Sequence, residues 1–221
     1  MLGKANILLV RENCDQMRGY FICLPMVSTR TSSRAIALAT LTTFCLQLIS
    51  PLTEITFANN TNYYVDATLG SDANNGLTLG TPWQSLTHVS AQAFLPGDQI
   101  LLKCGQTWTD ALAIDDSGIS GSQIVVGSYG SCTASNKPIL GSTGATNVNF
   151  SSGASYVTVS GLAFPSATPT HIDLALGGTN IIIQDSDFTS GGTGILLGAN
   201  TDVSITHNTF KNTINASISV E

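Results

Sequence analysis

Along residues 155–221 apolar and polar positions alternate with a period of two, and the alternation then repeats. Three segments align without gaps: YVTVSGLAF (Tyr156–Phe164), NIIIQDSDF (Asn180–Phe188) and DVSITHNTF (Asp202–Phe210). In each, one set of side chains faces one way (Val157 and Val159, Ile181 and Ile183, Val203 and Ile205). The other set faces away: Thr158 and Ser160, Ile182 and Gln184, Ser204 and Thr206. The closing phenylalanine recurs at 164, 188 and 210, spacings of 24 and 22 residues. A short polar turn and a second small strand follow each time, in HIDLALG from His171, GILLGAN from Gly194 and ASISV from Ala216. One such unit cannot bury its own apolar face. Stacked units can, by pairing strands along an axis about 4.8 Å apart. The pattern therefore predicts an all-β parallel β-helix, a solenoid with the three phenylalanines stacked inside. Gly and Asn at the corners supply the backbone angles that sharp turns need.

Upstream, a different pattern predicts the cap that an open solenoid end requires. In Thr81-Pro82-Trp83-Gln84 the threonine reads as an N-cap, with Pro at the first helical position and Gln at the third. A short helix through about Ala93 follows, carrying Trp83, Leu86, Val89 and Phe94 and ending at Pro96-Gly97. The runs QILLKC (Gln99–Cys104) and QIVVGSYG (Gln123–Gly130) then form the first, irregular coils. The domain reading is a leader over 1–58, an N-terminal cap over 59–98 and coils over 99–221.

The leader differs in composition from the rest. It holds Lys4, Arg11, Arg18, Arg30 and Arg34 against Glu12, Asp15 and Glu54, a net +2 that leaves −8 for residues 59–221. Between Arg34 and Pro51 runs the uncharged stretch AIALATLTTFCLQLIS, with Thr56 and Ala58 placed to suit a signal peptidase. The alternative is a membrane anchor, but spanning needs about 20 apolar residues and this stretch is shorter and diluted by Thr and Gln. The reading is a signal peptide, a secreted or cell-surface protein and no stable span after cleavage. Met26 opens MVSTRTSSR, a more ordinary charged start, which makes 1–25 an over-long reading of the gene. Removing the leader leaves two of the five cysteines, Cys104 and Cys132. An even pair in an exported protein reads as a disulfide, the alternative being two buried thiols. Only 10% of positions are charged and Lys plus Arg total 8, with no basic stripe, which excludes a nucleic-acid partner.

YYVDATLGSDANNG (Tyr63–Gly76), TPWQSL, LPGDQILLKCG (Leu95–Gly105) and SGISGSQIVVGSYG (Ser117–Gly130) resemble the N-terminal portion of secreted right-handed parallel β-helix proteins, the pectate-lyase-like superfamily. The resemblance covers residues 63–130 by motif and 155–221 by repeat. It implies the fold rather than the reaction, because these motifs mark the cap and first coils. Members include polysaccharide lyases, hydrolases, uronan epimerases and proteins without catalysis. Relatives carry more coils, whereas this chain stops at Glu221 inside a strand of its third repeat, so a chain truncated at the C-terminus is expected. Most of the chemistry then lies beyond it, and this piece alone is inactive.

A uronan lyase removes the proton beside a carboxylate. A calcium ion neutralises that carboxylate while Lys or Arg acts as base. Of the three lysines after the leader, Lys211 lies on the regular ladder, just past an inward Phe. One coil earlier are Asp185 and Asp187, in rows shared with His207 and Thr209. Lys211, Asp185, Asp187 and His207 are thus the candidate catalytic group, the alternative being an ordinary solvated turn. For calcium, Asp66, Asp72 and Asn74 in DATLGSDANNG could offer oxygens, although the register is not that of an EF-hand and Asx turns beside Gly need no ion. Calcium is the only cofactor the reading brings in. His88 and His171 lack a nucleophile at triad spacing. An inverting hydrolase needs two carboxyls roughly 6.5–9.5 Å apart. For Asp115–Asp116, adjacent in the chain, and Asp185 and Asp187, on a bend, that separation is set by the fold and not by the sequence. Sequons stand at Asn59, Asn149 and Asn215.

Two function classes follow. One is a secreted carbohydrate-active enzyme acting on an extracellular acidic polysaccharide by calcium-assisted β-elimination. The other is a non-catalytic adhesin or glycan-binding scaffold that meets a cell-surface glycan. A body at −8 repels a polyuronate, so uronan binding requires calcium or a local basic groove.

Overall fold

The computed structural model describes residues 16–17, 20–21, 60–165 and 168–221. The signal stretch, its cleavage point, the alternative start and Asn59 lie outside the described residues. The chain divides into two units, Met1–Ile55 and Thr56–Glu221. In the first, β1 (Gln16–Met17) and β2 (Tyr20–Phe21) form an antiparallel pair. Among the described residues no helix is long and apolar enough to cross a membrane.

The second unit is a parallel β-helix. It opens with β3 (Asn62–Val65) and α1 (Leu86–Ser90). The first coil is β4 (Gln99–Lys103), β5 (Thr107–Trp108) and β6 (Leu112–Ala113). The second is β7 (Ile124–Tyr129), β8 (Ile139–Leu140) and β9 (Thr146–Asn149). The third is β10 (Val157–Ser160), β11 (Ala163–Phe164) and β12 (Thr170–Leu174). The fourth is β13 (Gly178–Gln184), β14 (Asp187–Phe188) and β15 (Thr193–Leu197). The fifth is β16 (Asn200–Thr206), β17 (Thr209–Phe210) and β18 (Ala216–Val220). Each coil gives one strand to each of three parallel sheets, ordered β16-β13-β10-β7-β4-β3, β17-β14-β11-β8-β5 and β18-β15-β12-β9-β6.

The register is the one the repeat predicts: Val157 pairs with Ile181 and Ile181 with Val203, and Phe164 pairs with Phe188 and Phe188 with Phe210. Val157, Val159, Ile181, Ile183, Phe164 and Phe188 are fully buried. The three rings stack face to face at 4.9 and 4.8 Å, tilted by 11° and 7°. Each stacked pair adds about 0.5–1.5 kcal/mol to simple burial.

The cap differs from the predicted helix. Helix α1 spans five residues and its N-cap is Ser85, whose hydroxyl accepts the His88 N–H at 3.0 Å. Thr81–Gln84 is extended because Trp83 is committed to a β-bridge with Val65: its N–H donates to Tyr64 O and its carbonyl accepts from Asp66 N, both at 2.9 Å. The Trp83 ring stacks on Tyr63 at 4.9 Å. Gly76, at φ 73°, lies against the indole, where an added Cβ would come within 2.6 Å of the ring. Past the helix, Asp116 and Asp98 accept the N–H groups of Phe94 and Leu95, ending helical pairing short of Ala93.

One buried imidazole interrupts the apolar interior. His171 is fully buried beside the stacked rings of Phe164 and Phe188, at 5.8 and 5.9 Å from their centres. Its Nε2 faces the carbonyl of Ser190, which can only accept, so Nε2 carries the proton. Nδ1 is left to accept from the Asn147 amide at 2.9 Å and the Thr168 hydroxyl at 3.2 Å. Burial, partly offset by the Ser190 carbonyl, lowers the imidazole pKa, and the neutral ring is the native form.

Two outcomes are expected. Phe188→Ala removes the middle ring of the stack and should cost about 3–5 kcal/mol in denaturant unfolding. An effect below about 1 kcal/mol would mean the stack contributes little. Because the His171 pKa is lowered on folding, its contribution is complete above the unfolded value of about 6.5 and declines as pH falls below it. Thermal denaturation from about pH 7 to pH 5 should show this loss, and His171→Gln should flatten the slope. An equal slope in the variant would rule His171 out as its source.

Candidate functional site

The residues singled out for catalysis stand on two corners, one strand and the turn past β17. Asp185 and His207 occupy equivalent bends of successive coils, at φ 53° and 55°, where Gly161 stands one coil earlier at φ 72°. All three hold the left-handed turn between strands of the first and second sheets, and Asp185 and His207 are exposed. Asp187 faces out on β14, paired in register with Thr209, as the repeat predicts. Its carboxylate is engaged by Lys137, at 2.8 Å. Lys211 is exposed beyond β17, with its backbone N–H on Phe188 O at 2.8 Å. The structure thus brings Asp187 together with Lys137, a lysine that the repeat pattern did not select.

Of the residues singled out for calcium, Asp66 and Asp72 are committed to protein donors. Asp72 Oδ1 accepts the N–H groups of Gln84 and Ser85 at 2.8 and 2.9 Å, and Oδ2 accepts the Ser85 hydroxyl at 2.6 Å. Asp66 is buried. Its Oδ1 accepts Thr68 and Leu69 N–H at 3.0 and 3.1 Å, and its Oδ2 holds the Lys103 ammonium at 2.6 Å. Burial alone would raise both carboxyl pKa values. The Lys103 and backbone hydrogen bonds on Asp66, and the Ser85 and backbone hydrogen bonds on Asp72, outweigh it, so both stay below the usual carboxylate range. The Asn74 side-chain amide donates to Pro82 O at 2.9 Å, and the Asn74 backbone carbonyl accepts the Trp83 indole N–H at 3.0 Å. These side chains knit the cap loop to the segment before α1. No cluster of three or more His, Cys, Asp or Glu that could hold a metal occurs among the described residues. Asp115 and Asp116 turn to separate partners, the Ser151 hydroxyl and the Phe94 N–H.

A concave feature lies elsewhere, on the outer face of the first sheet. A groove of about 460 Å³ is lined by Tyr64 on β3, Leu101 and Lys103 on β4, Tyr129 on β7, and Leu79 from the cap loop. Alternation explains the lining. Tyr63 and Val65 pack into the cap and core, so Tyr64 points out. Ile100 and Leu102 are buried, so Leu101 and Lys103 point out. Register pairs Tyr64 with Leu101 and Lys103 with Tyr129. The two tyrosine rings meet edge to face at 5.2 Å. Burial, with the negative charge of Asp66 and then Tyr64 nearby, pushes the Tyr129 hydroxyl up to about 12. Immediately behind lies the disulfide Cys104–Cys132, with Cα atoms 5.3 Å apart, and Cys104 N donates to Tyr129 O at 3.0 Å. The bridge ties together the chain just after Lys103 and just after Tyr129. The parity of YYV and IVVGSY was the available signal for this groove, once those runs are read as strands with an outer face.

The chain matches no family model. A lacto-N-biosidase of Bifidobacterium longum subsp. longum is 38% identical over 96 residues, which are 42% of this chain and 6% of that protein. Among solved structures, the GH136 lacto-N-biosidase from Eubacterium ramulus is similar over 69% of this chain and 28% of its own, with 22% identity and a TM-score of 0.44. The pectate lyase Pel9A is similar over 66% of this chain and 47% of its own, with 19% identity and a TM-score of 0.45. The chain therefore spans a small part of the curated relative it matches, and its own strand pairing establishes the parallel β-helix.

Proposed function

We propose that this chain is a section of a secreted, carbohydrate-active β-helix protein, and that the glycan it meets is a neutral oligosaccharide. The observation that carries the reading is the 38% identity over 96 residues to a lacto-N-biosidase, by name an enzyme of lacto-N-bioside chemistry. Charge supports the neutral ligand. Residues 59–221 sum to −8, and two of their three lysines are held by aspartates, Lys103 by Asp66 and Lys137 by Asp187. A polyuronate would meet net repulsion and few available cations.

The uronan-lyase reading keeps one supporting observation. Lys211 is exposed and in no ion pair among the described residues, so its ammonium is open to solvent and substrate. In that reading Lys211 is the base, Asp185, Asp187 and His207 are the other members of the candidate group, and calcium offsets the substrate acid.

The two readings separate in one experiment on the full chain. Binding of lacto-N-biose and of digalacturonate is followed by NMR titration, with a parallel assay for unsaturated uronide released from polygalacturonate, with calcium and with chelator. Preferential binding of lacto-N-biose, with no unsaturated product, is the expected result. Calcium-dependent unsaturated product that disappears in Lys211→Ala would overturn it in favour of the lyase. Binding of neither sugar would remove the carbohydrate reading from this part of the molecule.

A further inference from the structure

We propose that the outer face of β4 and β7 is a two-ring glycan subsite, with one neutral sugar ring seated in the Tyr64–Leu79–Leu101–Lys103–Tyr129 groove and the linked ring toward Gln99. This assignment rests on the carbohydrate reading above and names where on the chain the ligand sits.

The groove matches a sugar in both shape and chemistry. A pyranose presents one face of C–H bonds and a rim of hydroxyls. The groove presents two tyrosine rings and two leucines beside a small set of polar groups, the composition expected of a small-molecule site. The tyrosine hydroxyls and the half-exposed Lys103 ammonium can donate to the rim oxygens. Lys103 is matched by the buried Asp66 carboxylate 2.6 Å away, so the local charge sums to zero. An anionic sugar would gain from Lys103 and lose to Asp66, whereas a neutral one meets donors without that opposition.

A second groove of about 440 Å³ continues along the same two strands. It is lined by amides, Asn60, Gln99 and Gln123, beside Val125. Gln99 and Lys103 are four residues apart on β4, about 13 Å of strand, enough for two linked rings. Between the grooves lies the row of Leu101 and Gly127. Gly127 has no positive φ, and a Cβ there would meet only Val125 and Leu101 side chains, at 3.6 and 3.7 Å. Gly127 is itself buried, so the Val125 and Leu101 side chains beside it form the apolar surface of the row between the grooves.

The test measures lacto-N-biose affinity of the full chain by NMR titration, together with thermal denaturation. Tyr129→Ala should weaken binding roughly tenfold, as loss of one aromatic face implies. Leu79→Ala, at a side chain 66% exposed, should weaken it about threefold without changing the melting temperature. Wild-type affinity retained in both variants would overturn the subsite and leave the carbohydrate reading standing. Wild-type protein that binds no lacto-N-biose would overturn both. Tighter binding of digalacturonate than of lacto-N-biose would also overturn the assignment.

Discussion

Everything in the second unit depends on coil-on-coil stacking, in which each inward side chain sits on its counterpart one coil away. A single coil of two- to seven-residue strands has no interior of its own. Its apolar row becomes buried only when the next coil repeats the same row in register. Val157 over Ile181 over Val203, and Phe164 over Phe188 over Phe210, are that condition met residue by residue. The left-handed corners at Gly161, Asp185 and His207 follow from it, since each coil must turn at the same point to keep its rows aligned.

The same constraint decides where function can reside. Inward positions are consumed by the core, and corners by the turn, so chemistry is confined to outward rows and to loops. On the outer face, Lys103 and Lys137 are each held by an aspartate, while Asp66 is held by Lys103 and cap-loop N–H groups and Asp72 by Gln84 and Ser85. Beside the Lys103–Asp66 pair, the outer face of the first sheet presents a mixed aromatic, aliphatic and hydroxyl surface. The disulfide Cys104–Cys132 ties the first coil to the second just beyond β4 and β7, next to Tyr129.

Much of the architecture was legible because it is periodic. The 24- and 22-residue spacing of phenylalanines carries both fold and register, and the cysteine pair was identified by counting after the leader was set aside. The cap was legible only in outline. Thr81-Pro82 has the form of a helix start, but that local preference lost to Trp83, whose bridge to Val65 and stacking on Tyr63 require an extended chain. Asp66, Asp72 and Asn74 carry the residue types and spacing of an ion loop. The Asp72 oxygens face backbone N–H groups of a segment a dozen residues downstream, which no local spacing reports.

The sequence by itself determined the alternation, the repeat and therefore the inward rows, because these depend on side-chain parity and on a period that the chain writes openly. Only the tertiary structure decided which outward residues meet. Tyr64, Leu101 and Tyr129 are 28 or more residues apart in pairs, yet become neighbours through the register of β3, β4 and β7, and Asp187 finds Lys137 fifty residues back. The physical reason is that burial selects inward residues one at a time, by their own hydrophobicity. A surface site is selected by the juxtaposition of strands, which exists only once the coils have stacked.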